Sequence, residues 1–219
     1  MQNIISFVTI GSVLNMMSFT HVLYAKQICE HISLKYGITL KRYSFIYGSV
    51  KPDVSILFLG KTKHYFDVSL DMVTESANVL INAINSEKEI ETKAFARELG
   101  VIMHYITDFF CRVHNDINGI KHSENFRHVL YEQRFQKVLE EYELDVLREK
   151  ILLVEDEEIK KIETMSLKNY LIYRHNKYMK EAGKLYFYDS TEKIRQIDMR
   201  YSFGISLIVA SYIVKKAMK

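Results

Sequence analysis

Glu98-Leu99-Gly100-Val101-Ile102-Met103-His104-Tyr105-Ile106-Thr107-Asp108-Phe109-Phe110-Cys111-Arg112-Val113-His114 is the stretch that decides how this 219-residue chain folds. Wound at 3.6 residues per turn, a helix over about 91–113 gathers Phe95, Leu99, Ile102, Met103, Ile106, Phe109 and Phe110 on one broad apolar face. His104 and Asp108 fall on the opposite side, where a surface helix would carry Lys and Glu, and Gly100, Thr107 and Cys111 beside them are small. Such a helix is buried on both faces. A buried carboxylate needs a partner, because an unpaired charge in an apolar interior is very costly. A metal ion would serve.

Positions four apart share a helix face, so a His-x-x-x-carboxylate pair can aim two side chains at one ion. His128-Val129-Leu130-Tyr131-Glu132 repeats the pattern on a helix predicted over about 123–147, where His128 and Glu132 share a face with Phe135, Leu139 and Tyr142. His114 lies six residues beyond Asp108, out of line with the first pair, and leans toward the second across the loop at 115–122. With 8 histidines and 27 acidic residues in 219, about one such pair is expected by chance. Two pairs on interior faces, bracketing a further histidine, are a more specific signal. They point to a multi-metal hydrolytic site. His31, His122 and His175 have no such setting and read as surface or loop histidines.

The rest of the composition agrees with a helical protein. Glycine is scarce, Pro52 is the single proline, and apolar and charged residues make up 48% and 26%. The expected class is all-α: residues 17–219 form one multi-helix domain, preceded by an extension over 1–16. The apolar run at 4–17 is too short to span a membrane comfortably and lacks the basic start of a signal peptide, which favours a cytoplasmic location. A net charge of +3, without a dense basic tract, does not favour nucleic acid as a partner. Two cysteines, Cys29 and Cys111, cannot build a disulfide framework and read as core residues.

Thr20 is placed to cap a helix running to about Tyr36 and stopped by Gly37, with His21 in its first turn as a capping or surface residue. Tyr47-Gly48-Ser49-Val50-Lys51-Pro52-Asp53 reads as an irregular loop, since proline pushes its predecessor toward extended backbone; Asp53 there is a turn aspartate or points inward. His64 precedes a helix with strict three-four spacing at Phe66, Leu70, Val73, Ala77, Leu80 and Ile84. Glu155-Asp156-Glu157-Glu158 reads as a solvated first turn that suits a helix dipole. A tyrosine-bearing helix over about 166–185 and a central core helix over about 191–217 complete the chain.

Taken together, Thr20-His21, the segment from Tyr47 to Asp53, His64-Tyr65-Phe66, Leu99-Gly100, Met103-His104-Tyr105 with Asp108, then His114, and His128 with Glu132 resemble the bacterial zinc-dependent phospholipase C family. The S1/P1 nuclease group is a more distant relative. The resemblance covers roughly residues 17–145 and implies an α-helical bundle of the phospholipase C and P1 nuclease type, with zinc ions in a cleft. It implies that Asp53, His64, His104 and Asp108 hold one zinc, and that His114, His128 and Glu132 hold a second. His21 and Asp108 would share a third. Asp53 or Glu132 would be the catalytic group that orients or deprotonates water. The substrate would be a phosphodiester, with a phospholipid at a membrane surface as the family's example.

Two departures qualify the match. Family members that are secreted complete the third site with an N-terminal tryptophan, and this chain has none, so two zinc ions are expected. Val54 stands where choline-recognising members carry an aromatic residue, so phosphatidylcholine specificity is not implied. An S1/P1-like nuclease or nucleotidase, and a metal-binding helical domain without catalysis, are the competing readings.

Overall fold

A computed structural model describes residues 2–54, 64–84, 87–115, 135, 144–184 and 191–219. Among them there are helices and no strands. In chain order they are α1 (Gln2–Tyr36), α2 (Arg42–Val54), α3 (Phe66–Asn82), the short α4 (Glu87–Ile90), α5 (Lys93–Phe109), a 3-10 turn (Arg112–His114), α6 (Leu144–Leu152), α7 (Glu155–Met165), α8 (Leu167–Ala182) and α9 (Thr191–Ala217). The helix expected over 123–147 falls outside the described residues, apart from buried Phe135 and the start of α6.

Two helices organise the core. α9 packs against α1, α3, α5, α6, α7 and α8, with Phe203 through Ala210 buried along its length. Its segment Arg195–Ala217 is long and apolar enough to cross a bilayer, but 83% of the apolar window is buried inside the protein. α5 is buried on every side from Ile102 to Phe109, as its two-faced pattern predicts. Thr92 caps it: the Phe95 N–H donates to the threonine oxygen at 3.2 Å.

Several expectations are corrected. α1 runs from Gln2, so Thr20 sits inside a helix and is not its cap; Gly37, at φ +70, does end it. The stretch from Tyr47 to Asp53 belongs to α2 and is not a loop, although Pro52 cannot donate to the Gly48 carbonyl one turn back. Packing wins over that lost bond. Gly48 and Gly100 allow α2 and α5 to touch main chain to main chain: a Cβ on Gly100 would overlap the Phe45 carbonyl oxygen and come within 2.8 Å of the Ser49 nitrogen. One on Gly48 would overlap the Arg97 carbonyl oxygen.

The acidic run is not a solvated turn either. Glu155 and Glu158 are buried, and only Asp156 and Glu157 between them face water. Glu155 Oε2 meets Lys35 Nζ at 2.9 Å and His31 Nε2 at 3.0 Å, while the Tyr36 hydroxyl donates to Oε1 at 3.0 Å. Burial raises the Glu155 carboxyl, yet His31, Ser211 and Lys35 bring it down to about 2. Glu158 accepts from the Tyr170 hydroxyl at 2.7 Å and from Lys161 at 2.8 Å. His31 and His175 are buried as well, which contradicts their reading as surface residues. Their partners lie far away in sequence.

Candidate metal centre

Three helices and two connecting segments deliver the histidines and carboxylates to one place. α5 supplies His104 and Asp108 one turn apart, with the His104 ring fully buried. α1 supplies His21, the end of α2 supplies Asp53, and His64 enters from the segment just before α3. The 3-10 turn after α5 folds the chain back, so that His114 Nε2 lies 3.6 Å from Asp108 Oδ1. His114 thus stands beside Asp108 across the helix break. His128 and Glu132, its expected partners, lie outside the described residues.

Asp108 presents its two oxygens to two different sides. Oδ2 meets His64 Nδ1 at 2.8 Å and His104 Nε2 at 3.2 Å, and those two nitrogens are 3.2 Å apart. Asp53 Oδ1 completes that side, at 3.7 Å from His64 and 3.6 Å from His104. Around a tetrahedral ion with bonds of about 2.0–2.1 Å, neighbouring donor atoms are roughly 3.3–3.4 Å apart. These separations of 2.8–3.7 Å bracket that value at the His64 and His104 nitrogens, and two sets of three, Asp53–His64–His104 and His21–His104–Asp108, are spaced to hold a metal ion. On the other side, Asp108 Oδ1 faces His21 Nε2 at 3.3 Å and His114. Asp53 Oδ2 also reaches toward His21, at 3.9 Å.

The electrostatics say why these groups want a cation. Among the described residues Asp53 and Asp108 pair only with histidines, and no Lys or Arg joins them. Burial raises the Asp108 carboxyl, but the charges of His114, His104 and His21 hold it well below the usual carboxylate range. Burial pulls His104 down, and Asp108 and Asp53 overcome this to bring it up to about 9. Here a proton stands where an ion could stand. The His104 ring is aimed correctly for one: Nδ1–H donates to the Ser49 carbonyl at 2.9 Å, which leaves the Nε2 lone pair directed at the two carboxylates.

A small cleft opens on the His21 side, lined by Thr20, His21, Thr107, Asp108, Cys111, His114, Phe135 and Ser202. Its far wall is α9, tied to α5 by the 3.1 Å contact between the Thr107 and Ser206 hydroxyls.

The sequence reading missed the residues that hold the 3-10 turn in place. Asp198 of α9 is fully buried and accepts from the Arg112 backbone N–H at 2.7 Å and from the Tyr178 hydroxyl at 2.9 Å. Asn115 donates to the Phe109 and Cys111 carbonyls, and its Oδ1 accepts from His175 Nε2 at 2.7 Å. The His175 ring lies flat on Phe66 at 3.7 Å, two residues from His64. Burial brings His175 down to about 4, so at neutral pH it is an uncharged ring spanning two ligand-bearing segments. A signal for Asp198 was present: it shares a helical stripe with Ser202, Ile205 and Val209, which marks it as interior.

Comparison with curated proteins and with solved structures returns no match. Residues 20–185 match the family model for zinc dependent phospholipase C. That span runs from the residue before His21 to the segment just past α8, and it takes in every histidine and carboxylate of the cluster. The chain belongs to the zinc-dependent phospholipase C family.

Proposed function

We propose that this chain is a phosphodiester hydrolase of phospholipase C type, using water to split a phospholipid-like substrate into a phosphomonoester and an alcohol. The observation that supports it most is the carboxylate–imidazole cluster, in which Asp108 faces two sides and, among the described residues, neither Asp108 nor Asp53 meets a Lys or Arg side chain. In this reading Asp53, His64, His104 and Asp108 hold one zinc. His114 faces the second, with His128 and Glu132 as the further ligands that the resemblance implies, and His21 and Asp108, 3.3 Å apart, stand where it implies a third. Bound zinc supplies a Lewis acid that neutralises phosphodiester oxygens and makes water acidic near neutral pH.

The chain's own residues do the remainder. Asp53 lies at the open end of α2 with oxygens turned to both sides of the cluster, and it accepts the proton of the attacking water. Glu132 is the other candidate for that role. Ser49 keeps the His104 tautomer fixed. The cleft between α5 and α9 takes the substrate's phosphate beside His114 and orients it for in-line attack.

Turnover of a nitrophenyl phosphodiester, a nucleotide and a phospholipid, each with and without chelator, tests the reading. Activity on a diester should disappear with chelator and with His104→Ala, and Asp53→Asn should lower it strongly. Turnover that survives chelation or both substitutions sinks the proposal. Preference for the nucleotide would make the chain a nuclease-type enzyme, and stoichiometric zinc without any turnover would make it a binding domain.

A further inference from the structure

Arg195, in the second turn of α9, is only 8% exposed, and its Nε is enclosed without a hydrogen-bond partner. Among the described residues no carboxylate pairs with its guanidinium. The acids of α9 and of the end of α8 are engaged elsewhere. Asp198 accepts from the Arg112 N–H and the Tyr178 hydroxyl, Glu192 from Gln196, and Glu181 from Arg200 and Tyr201. Arginine cannot shed its proton to escape burial, so an unpaired guanidinium in the interior lowers stability. Proteins keep such a conflict mostly where the group has a ligand to meet.

The position of Arg195 on α9 indicates that ligand. At 100° per residue, Arg195, Ser202 and Ser206 fall within about 40° of one another on one side of the helix. Ser202 lines the cleft that holds His114, and Ser206 meets Thr107 of α5. Arg195 therefore stands on the α9 line that walls the cleft, two turns or about 10 Å before Ser202. Between them, Asp198 holds the 3-10 turn that carries His114. Arg195 also lies beyond residues 20–185, the span that matches the family, so family membership does not supply this role.

We propose that Arg195 anchors an anion site beside the metal cluster, taking a phosphate group on the substrate's headgroup, distinct from the diester to be cleaved. A guanidinium presents a planar pair of N–H donors that match two phosphate oxygens, and the anion supplies the counter-charge. That the phosphate belongs to a substrate rests on the phosphodiesterase reading; the anion site itself does not.

The test uses the full zinc-loaded chain in an anion-poor buffer, as wild type, Arg195→Met, Arg195→Gln and Arg195→Lys. Without ligand, Arg195→Met should melt as high as the wild type or higher, because it removes a buried charge that has no counter-charge. Calorimetry with inorganic phosphate should show binding that Arg195→Gln weakens at least about tenfold and Arg195→Lys restores in part, at equal zinc content. The wild type should favour glycerophosphoinositol 4-phosphate over glycerophosphoinositol at least about fivefold in kcat/KM, chiefly through KM, and Arg195→Gln should bring that ratio near one. If Arg195→Met and Arg195→Gln both melt several degrees lower, an acid of the chain pairs with the guanidinium and the proposal falls. Phosphate binding that ignores Arg195→Gln overturns it too. Arg195-dependent phosphate binding without a headgroup preference upholds the anion site and assigns it free phosphate. The same binding with no turnover of any diester would remove the catalytic reading and leave the anion site standing.

Discussion

Among the described residues, two fully buried carboxylates, Asp108 and Glu155, meet histidine, and they are solved in opposite ways. Glu155 has a cation of its own: Lys35 reaches it at 2.9 Å, with His31 and the Tyr36 hydroxyl completing its contacts. Among the described residues Asp108 meets imidazoles alone, four of them within 3.6 Å of its two oxygens, with a second carboxylate, Asp53, on the far side of the same rings. One cluster closes on itself and fastens α1 to α7. The other gathers the donor atoms of His21, His64, His104, Asp53 and Asp108 in spacings that can hold a metal ion. The difference separates an internal ion pair from a place for an external ion.

Substitutions that swap or remove a charge can break this contrast, and the largest expected effect is at Asp108. Asp108→Asn should lower diester hydrolysis on the order of 10³-fold or more and strip zinc from the purified protein, read by elemental analysis. Full zinc content in that variant would mean that the cluster needs no anion. Glu155→Gln should instead leave zinc content and turnover intact and cost roughly 3 kcal/mol of stability in denaturant melts, because Lys35 and His31 lose their counter-charge. Loss of zinc in Glu155→Gln would erase the distinction.

Acid sharpens the same contrast. The folded state holds the Glu155 carboxyl at about 2 against an ordinary value of 4.5, so its contribution is complete above about 4.5 and is lost as pH falls toward 2. The stability of Glu155→Gln should therefore fall less steeply than the wild type's across that window. Asp198→Asn, which keeps the shape and weakens the grip on the Arg112 N–H, should reduce zinc affinity or turnover roughly tenfold with little change in melting. The smallest effect is a proton count. With His104 at about 9, zinc binding at pH 7 should release a proton, visible as a buffer-dependent heat in calorimetry that fades toward pH 10.

What the sequence shows and hides follows from how far apart the partners lie. α3, α5 and α9 are legible because their apolar spacing is local, and His104 with Asp108 is legible because four residues bring two ligands to one face. Asp53, His21 and His64 have no local pattern at all, and only the family resemblance ties them to α5. Glu155 reads as a solvated acid because its partners, His31 and Lys35, are some 120 residues away. α2 reads as a loop because Pro52 is a strong local breaker, and no local rule records the packing against α5 that overrides it. His175 is hidden for the same reason: its value lies in touching Asn115 and Phe66 at once.

The meeting of Gly48 with Gly100 has a consequence for how this site can vary. The group that orients His104 is the carbonyl of Ser49, which every amino acid possesses, so the Ser49 side chain, whose hydroxyl donates to the Phe45 carbonyl, takes no part in that bond. The information for that hydrogen bond is stored next door, at two positions where even a methyl group would force the helices apart. A saturation library should therefore show position 49 accepting alanine or cysteine, while positions 48 and 100 accept glycine alone. The histidine's aim is written in residues that never touch it.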